Sequence, residues 1–228
     1  MLYRRELCNL EDNEEGKICL RVAALSLKNS DWTLVSGLHS NYYFDLDSYA
    51  FDNKTNTKEL ISLLGSRVTA LSEMMRFDKI AFIDKEGPGP VGLITFFAAL
   101  NALFKQECII IRPRRQLLSA AIKGPFKEGD SVLILNDVAT EGSTIFEAAE
   151  KIWECGGTVP CALVILDRSQ GATTNLGRKG IELYSLTSAA SIKESKPAEF
   201  KEISGREIEV EPRPRLTDFG GPAYVAFG

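Results

Sequence analysis

One stretch constrains this chain more than any other: Val132-Leu133-Ile134-Leu135-Asn136-Asp137-Val138-Ala139-Thr140-Glu141-Gly142-Ser143-Thr144. Four consecutive aliphatic residues suit a strand buried on both faces. An acidic residue, Asp137, falls where that strand should end, and a short loop of Thr, Gly, Ser and Thr follows. Ile145 to Trp153 then carries helical spacing, with Ile145, Ala148, Ala149 and Ile152 on one face. Strand, small-residue loop and helix together make a cradle for an anion. Gly142 lets the backbone approach a ligand, and the N–H groups of the first helical turn lack partners within the helix. The acid at the strand end can accept hydrogen bonds from sugar hydroxyls. An ordinary strand-to-helix turn closed by a Ser/Thr cap has the same outline. No Gly-Lys-Ser/Thr follows and there is no G-x-G-x-x-G, so neither common nucleotide loop is present.

Strands and helices alternate around this stretch. Lys79 to Ile83, Glu107 to Ile111, Val159 to Leu166 and Ile181 to Leu186 read as strands. Lys58 to Met75 is an amphipathic helix, with Leu60, Leu64, Val68, Leu71 and Met75 on one stripe and Thr57 as its cap. Val91 to Phe104 is almost wholly apolar and reads as a buried helix. Apolar strands alternating with helices imply an α/β fold, a parallel sheet with helices on both faces. Ligands of such sheets sit beyond the carboxyl ends of the strands. The loops 84–90, 112–123, 137–144 and 167–173 should therefore meet at one edge. The long loop 112–130 is basic.

The two ends of the chain differ from this core. Lys17 to Lys28 has apolar residues at Ile18, Val22 and Leu25 and reads as a helix ended by Asn29-Ser30-Asp31. Two short strands follow, residues 32–35 and 41–45, joined by a turn holding His39, the only histidine. The division expected is 1–50 for the N-terminal helix and hood, 51–205 for the α/β core and 206–228 for a Pro/Gly-rich extension.

Charge and cysteine usage narrow the function classes. A formal net charge of −4 over 228 residues argues against general nucleic-acid binding. A polyanionic ligand then needs a local cluster of positive charge. No apolar run reaches membrane-spanning length, and Met1 to Glu6 lacks the apolar core of a signal peptide. The five cysteines form no C-x-x-C, and with a single histidine they do not compose a zinc site. They read as reduced thiols of a cytoplasmic protein, with Cys108 in the core.

Several stretches together resemble the orotate phosphoribosyltransferases, members of the type I phosphoribosyltransferase family. The organising loop resembles the ribose-phosphate loop of that family. Trp32-Thr33-Leu34-Val35-Ser36-Gly37-Leu38-His39-Ser40-Asn41-Tyr42-Tyr43 resembles the N-terminal hood. Leu166-Asp167-Arg168 resembles the strand-end Asp-Arg, and Phe82 to Leu93 lies where the family has its pyrophosphate loop. The resemblance spans residues 17–190. It implies an enzyme that forms orotidine monophosphate and pyrophosphate from orotate and phosphoribosyl pyrophosphate, with Mg²⁺ carried on the substrate and no metal ligand assigned to the protein. It also implies a homodimer in which the mobile loop of one subunit covers the neighbour's site. The apolar Leu117, Leu118, Ala120 and Ala121 suit that burial.

By the same resemblance, Thr140, Glu141, Gly142, Ser143 and Thr144 hold the 5′-phosphate, and Asn136 and Asp137 hold the ribose hydroxyls. Arg168 and Thr140 hold the orotate beneath Tyr42 and Tyr43. Arg112 opens the mobile loop. The chain departs from the family pattern at the pyrophosphate end. Val35 and Pro88 replace lysines, Asn136 replaces one acid of a pair, and the mobile loop has no Lys or His before Lys123. Lys85, Arg112, Arg114 and Arg115 are the cations that would stand in for them. The alternative is a nucleotide or phosphoribosyl pyrophosphate sensor that keeps the fold without the chemistry.

Overall fold

The structure is a computed structural model that describes residues 27–33, 39–44, 46, 52, 54–84, 104–112 and 121–191. Two sheets are present among them. A hairpin pairs β1 (Leu27–Thr33) antiparallel with β2 (His39–Phe44), with an irregularity between Asn29 and Trp32. The second sheet has six strands in the order β5-β4-β3-β6-β7-β8. These are β3 (Lys79–Ile83), β4 (Glu107–Ile111), β5 (Ile122–Lys123), β6 (Ser131–Ala139), β7 (Thr158–Asp167) and β8 (Glu182–Ser188). Helix α1 (Lys54–Met74) precedes β3. Helix α2 (Ser143–Glu154) joins β6 to β7, and α3 (Ala172–Gly177) joins β7 to β8.

The strands are buried on both faces, and their alternate residues supply two separate cores. Ile80, Phe82, Leu133, Leu135, Leu163 and Ile165 pack with Leu60, Leu64, Val68 and Leu71 of α1. Ala81, Ile83, Val132, Ile134, Ala162 and Val164 pack with Ile145, Ala149 and Ile152 of α2 and Leu176 of α3. The expected helix-on-both-faces arrangement is therefore observed. It follows from strands whose central residues are apolar on both faces and so need cover on each side.

The sheet differs from expectation at its edge. β5 runs antiparallel to β4, within the segment read as loop 112–130. The Arg112 N–H donates to the Ala121 carbonyl, 2.7 Å away, so the chain folds back on β4. Ala121 is fully buried within the chain.

Other boundaries also move. Helix α1 begins at Lys54, which places Thr57 inside the helix rather than at its cap. Residues 27–31 belong to β1, not to the end of a helix, because pairing Leu27 with Phe44 and Asn29 with Tyr42 satisfies their backbone across the hairpin. His39 lies in β2 rather than in a turn. The 167–173 loop is shorter than expected, since β7 runs to Asp167 and α3 starts at Ala172. Residues 17–26 of the expected helix 17–28, residues 91–103 of the expected helix 91–104, residues 34–38 and the extension 206–228 lie outside the described residues.

Candidate active site

Strand order decides where a ligand can sit. The chain passes from β3 to β4 on one side, then returns to place β6 on the other side of β3. This reversal is the topological switch point of the sheet, where the loops leaving β3 and β6 diverge and open a crevice. Because β3, β4, β6, β7 and β8 are parallel, Asp84, Arg112, the 140–144 loop and Arg168 all follow carboxyl ends at one edge.

The loop after β6 is built to present backbone. Gly142 is the N-cap of α2, with φ +86°, and no side chain caps the helix. The Ser/Thr-capped turn that the sequence allowed is therefore not the structure adopted. A Cβ at Gly142 would lie 2.8 Å from Leu176 Cγ, so glycine is needed here for packing against α3 as well as for its left-handed conformation. Ser143 is exposed, whereas Thr140, Glu141 and Thr144 are half-buried.

Neighbouring segments hold this loop in place. The Ala172 N–H donates to the Thr140 carbonyl at 3.2 Å, and Asn175 Nδ2 donates to the Glu141 carbonyl at 3.0 Å. The Arg168 N–H donates to the Ala139 carbonyl at 2.9 Å. The loops after β6 and β7 are thus one hydrogen-bonded unit, which brings the candidate phosphate loop and Arg168 together.

Strand β6 runs to Ala139, so Asn136 and Asp137 lie within its last turn of pleat rather than just beyond it. Asn136 is only 4% exposed, and its Nδ2 donates to the Val138 carbonyl at 3.1 Å. Asp137 is half-buried. Arg168 is 3% exposed, and its Nε donates to Gln170 Oε1 at 3.0 Å. Asp167 accepts from the Ser169 N–H and from the Thr173 hydroxyl, which fixes the turn into α3. Arg112 Nε lies 2.5 Å from Asp84 Oδ2, tying the ends of β3 and β4 together.

Tyr42 and Tyr43 are on β2. Lys85, Arg114 and Arg115 lie outside the described residues. Gln170, Asn175 and Asp84 were not singled out by the sequence reading. Asp84 and Gln170 each sit just past a strand-end motif, and only the fold supplies their partners. Among the described residues, no group of three or more His, Cys, Asp or Glu could hold a metal ion.

Comparison with known proteins gives the site its relatives. No family model matches the chain. The orotate phosphoribosyltransferase of Pyrococcus abyssi is 31% identical over 186 residues, covering 80% of this chain and 96% of the relative. That of Pyrococcus furiosus is 32% identical over 164 residues, covering 70% of this chain and 84% of the relative. The crystal structure of orotate phosphoribosyltransferase from Aeropyrum pernix matches the fold with a TM-score of 0.62 at 24% identity. It covers 78% of this chain and 99% of that one.

Proposed function

The chain belongs to the orotate phosphoribosyltransferase family, and we propose from this premise that it makes orotidine monophosphate and pyrophosphate from orotate and phosphoribosyl pyrophosphate, a step of pyrimidine biosynthesis. Its fold is that of the type I phosphoribosyltransferases. The observation that carries the reading is the hydrogen-bonded unit of the β6 and β7 loops. It sets an uncapped helix N-terminus beside Arg168 at the carboxyl edge of the sheet.

In this reading the N–H groups of residues 140–144 hold the 5′-phosphate, helped by the dipole of α2. Ser143 and Thr144 add hydroxyl donors. Glu141 contributes backbone, with its carbonyl already bonded to Asn175. Asp137 and Asn136 hold the ribose hydroxyls, the Asn136 amide nitrogen being committed to Val138. Arg168 and Thr140 hold the orotate beneath Tyr42 and Tyr43. As the bond from the ribose carbon to pyrophosphate breaks, positive charge grows on the sugar and negative charge on the leaving group. A ring nitrogen of orotate then forms the new bond. Asp137 opposes the first charge. Lys85, Arg112, Arg114 and Arg115 oppose the second, since arginine can grip phosphate with two N–H groups.

A Mg²⁺ ion would be carried on substrate oxygens, and Asp137, half-buried near the end of β6, would hold the ribose hydroxyls beside it; such ions favour phosphates and one or two carboxylates. When bound, it would neutralise charge on the pyrophosphate. The assembly we propose is a cytoplasmic homodimer whose residues 113–120 cover the neighbouring site, with residues 1–50 as hood, 51–205 as core and 206–228 as an extension. Among the described residues, no helix is long and apolar enough to cross a membrane.

The decisive assay follows products by chromatography after mixing the protein with orotate, phosphoribosyl pyrophosphate and Mg²⁺. One orotidine monophosphate and one pyrophosphate should appear for each orotate lost. Product from uracil at a comparable rate would reject orotate as the preferred base. Nucleotide affinity without product would make the protein a sensor.

A further inference from the structure

We infer that Asn175 is a positioning residue, one that holds the Glu141–Gly142 peptide so that its N–H faces the 5′-phosphate; this rests on the reading of residues 140–144 given above. In a planar trans peptide the C=O and the N–H point in opposite directions, and no peptide among the described residues is cis. A carbonyl held on one side therefore aims the following N–H at the other. Three consecutive carbonyls of the loop are held in this way. The Thr140 carbonyl accepts the Ala172 N–H at 3.2 Å, the Glu141 carbonyl accepts from Asn175 Nδ2 at 3.0 Å, and the Gly142 carbonyl accepts the Phe146 N–H at 2.9 Å. Each is committed to a donor and so does not confront an incoming anion. The first two are drawn toward α3, which packs on β8. The N–H groups of Glu141 and Gly142 then face away from α3, toward the β3 side of β6, where the crevice opens.

Of the three peptides, the middle one is the least fixed by its own backbone. Turning a peptide plane over carries the φ of the next residue across zero, which glycine tolerates and other residues resist. Here the next residue is Gly142, at φ +86°. Its Cα is pinned, since a Cβ there would lie 2.8 Å from Leu176 Cγ, but its peptide plane can still turn. The Thr140 and Gly142 carbonyls are held by backbone N–H groups, whereas the Glu141 carbonyl is held by a side chain. Ala172, Asn175 and Leu176 of α3 thus brace Thr140, Glu141 and Gly142 in turn. Asn175 is exposed, so its bond exchanges with water and adds little to stability. Its effect is on direction.

Orotidine monophosphate and orotidine separate this role from simple support of the fold, because they differ only in the 5′-phosphate. The wild type should bind orotidine monophosphate more tightly than orotidine in calorimetric titration. Asn175→Ala should weaken orotidine monophosphate about fivefold, the scale of one ordinary hydrogen bond, and leave both orotidine binding and the melting temperature unchanged. Equal weakening of both ligands in Asn175→Ala, or unchanged binding of both, would overturn the role of Asn175, while the wild-type preference would keep the phosphate cradle in place. A wild type with no preference for the phosphorylated ligand would overturn the cradle itself, and with it this inference.

Discussion

Gly142 joins fold and function at a single atom, the hydrogen that stands where a Cβ would be. Its left-handed φ and the close approach of Leu176 both exclude larger residues. Gly142→Ala should therefore cost about 1–3 kcal/mol of stability, the usual scale of a strained non-glycine residue. It should also weaken 5′-nucleotide binding, because α2 begins there. Urea denaturation and nucleotide titration measure the two effects, and unchanged values in both would remove Gly142 from the site. Chemistry at the cysteines is governed by burial. Loss of solvation pushes the thiol of Cys161 up to about 12 and that of Cys108 up to about 11. Both should stay protonated and resist alkylation at neutral pH in the native protein, then react in denaturant. Peptide mapping after iodoacetamide treatment reads this directly, and rapid native labelling of Cys161 would contradict the packing of β7.

At the scale of elements, the edge of the sheet opposite the site is held by charge. Lys79 opens β3 with its side chain only 8% exposed, bonded to Glu107 of β4 and 3.9 Å from Asp130 before β6. The hydrogen bond that Lys79 donates to Glu107 raises the Lys79 pKa above its ordinary 10.5 against the opposing cost of burial, with Asp130 adding to the rise. Its stabilising contribution is thus complete below 10.5 and is lost as pH climbs through the raised value. Lys79→Met leaves the buried Asp130 carboxylate with the Lys127 N–H but without its cation, and should cost about 3 kcal/mol, as for a broken buried pair. Glu107→Gln, at an exposed partner, should cost below about 1 kcal/mol. Equal losses in thermal or urea melts would contradict this division.

The elements that sequence made legible are those whose signal is local. Runs such as Val132 to Leu135 and the stripe of α1 announce a buried strand and a one-sided helix. The 140–144 loop and Arg168 were legible because each directly follows such a run. The hydrogen bond between Arg168 and Gln170 was not, since it forms across a left-handed Ser169 that no composition rule marks. β5 was hidden for a related reason: two residues become a strand only because β4 lies beside them. The α1 boundary slipped because Lys54 to Thr57 carry little periodicity, and packing of Asn56 extends the helix past the expected cap.

For the molecule as a whole, we expect a dimer, with light scattering at micromolar concentration giving twice the chain mass of 25.1 kDa. Monomer alone would remove the shared site. The larger claim is that binding and turnover draw on different parts of the chain. We propose that the β6 and β7 loops bind nucleotide, whereas Arg112, Arg114 and Arg115 stabilise the departing pyrophosphate. Losing a preorganised stabiliser of developing charge typically costs about 10²–10³ in rate. The measurement that tests this most directly is the fall in orotate absorbance with phosphoribosyl pyrophosphate and Mg²⁺. It compares the wild type with an Arg114→Ala, Arg115→Ala double variant, with orotidine monophosphate affinity measured in parallel. The account predicts that the wild type consumes orotate, and that the double variant slows by about that factor while its affinity is kept. A wild type that binds orotidine monophosphate yet consumes no orotate would contradict it.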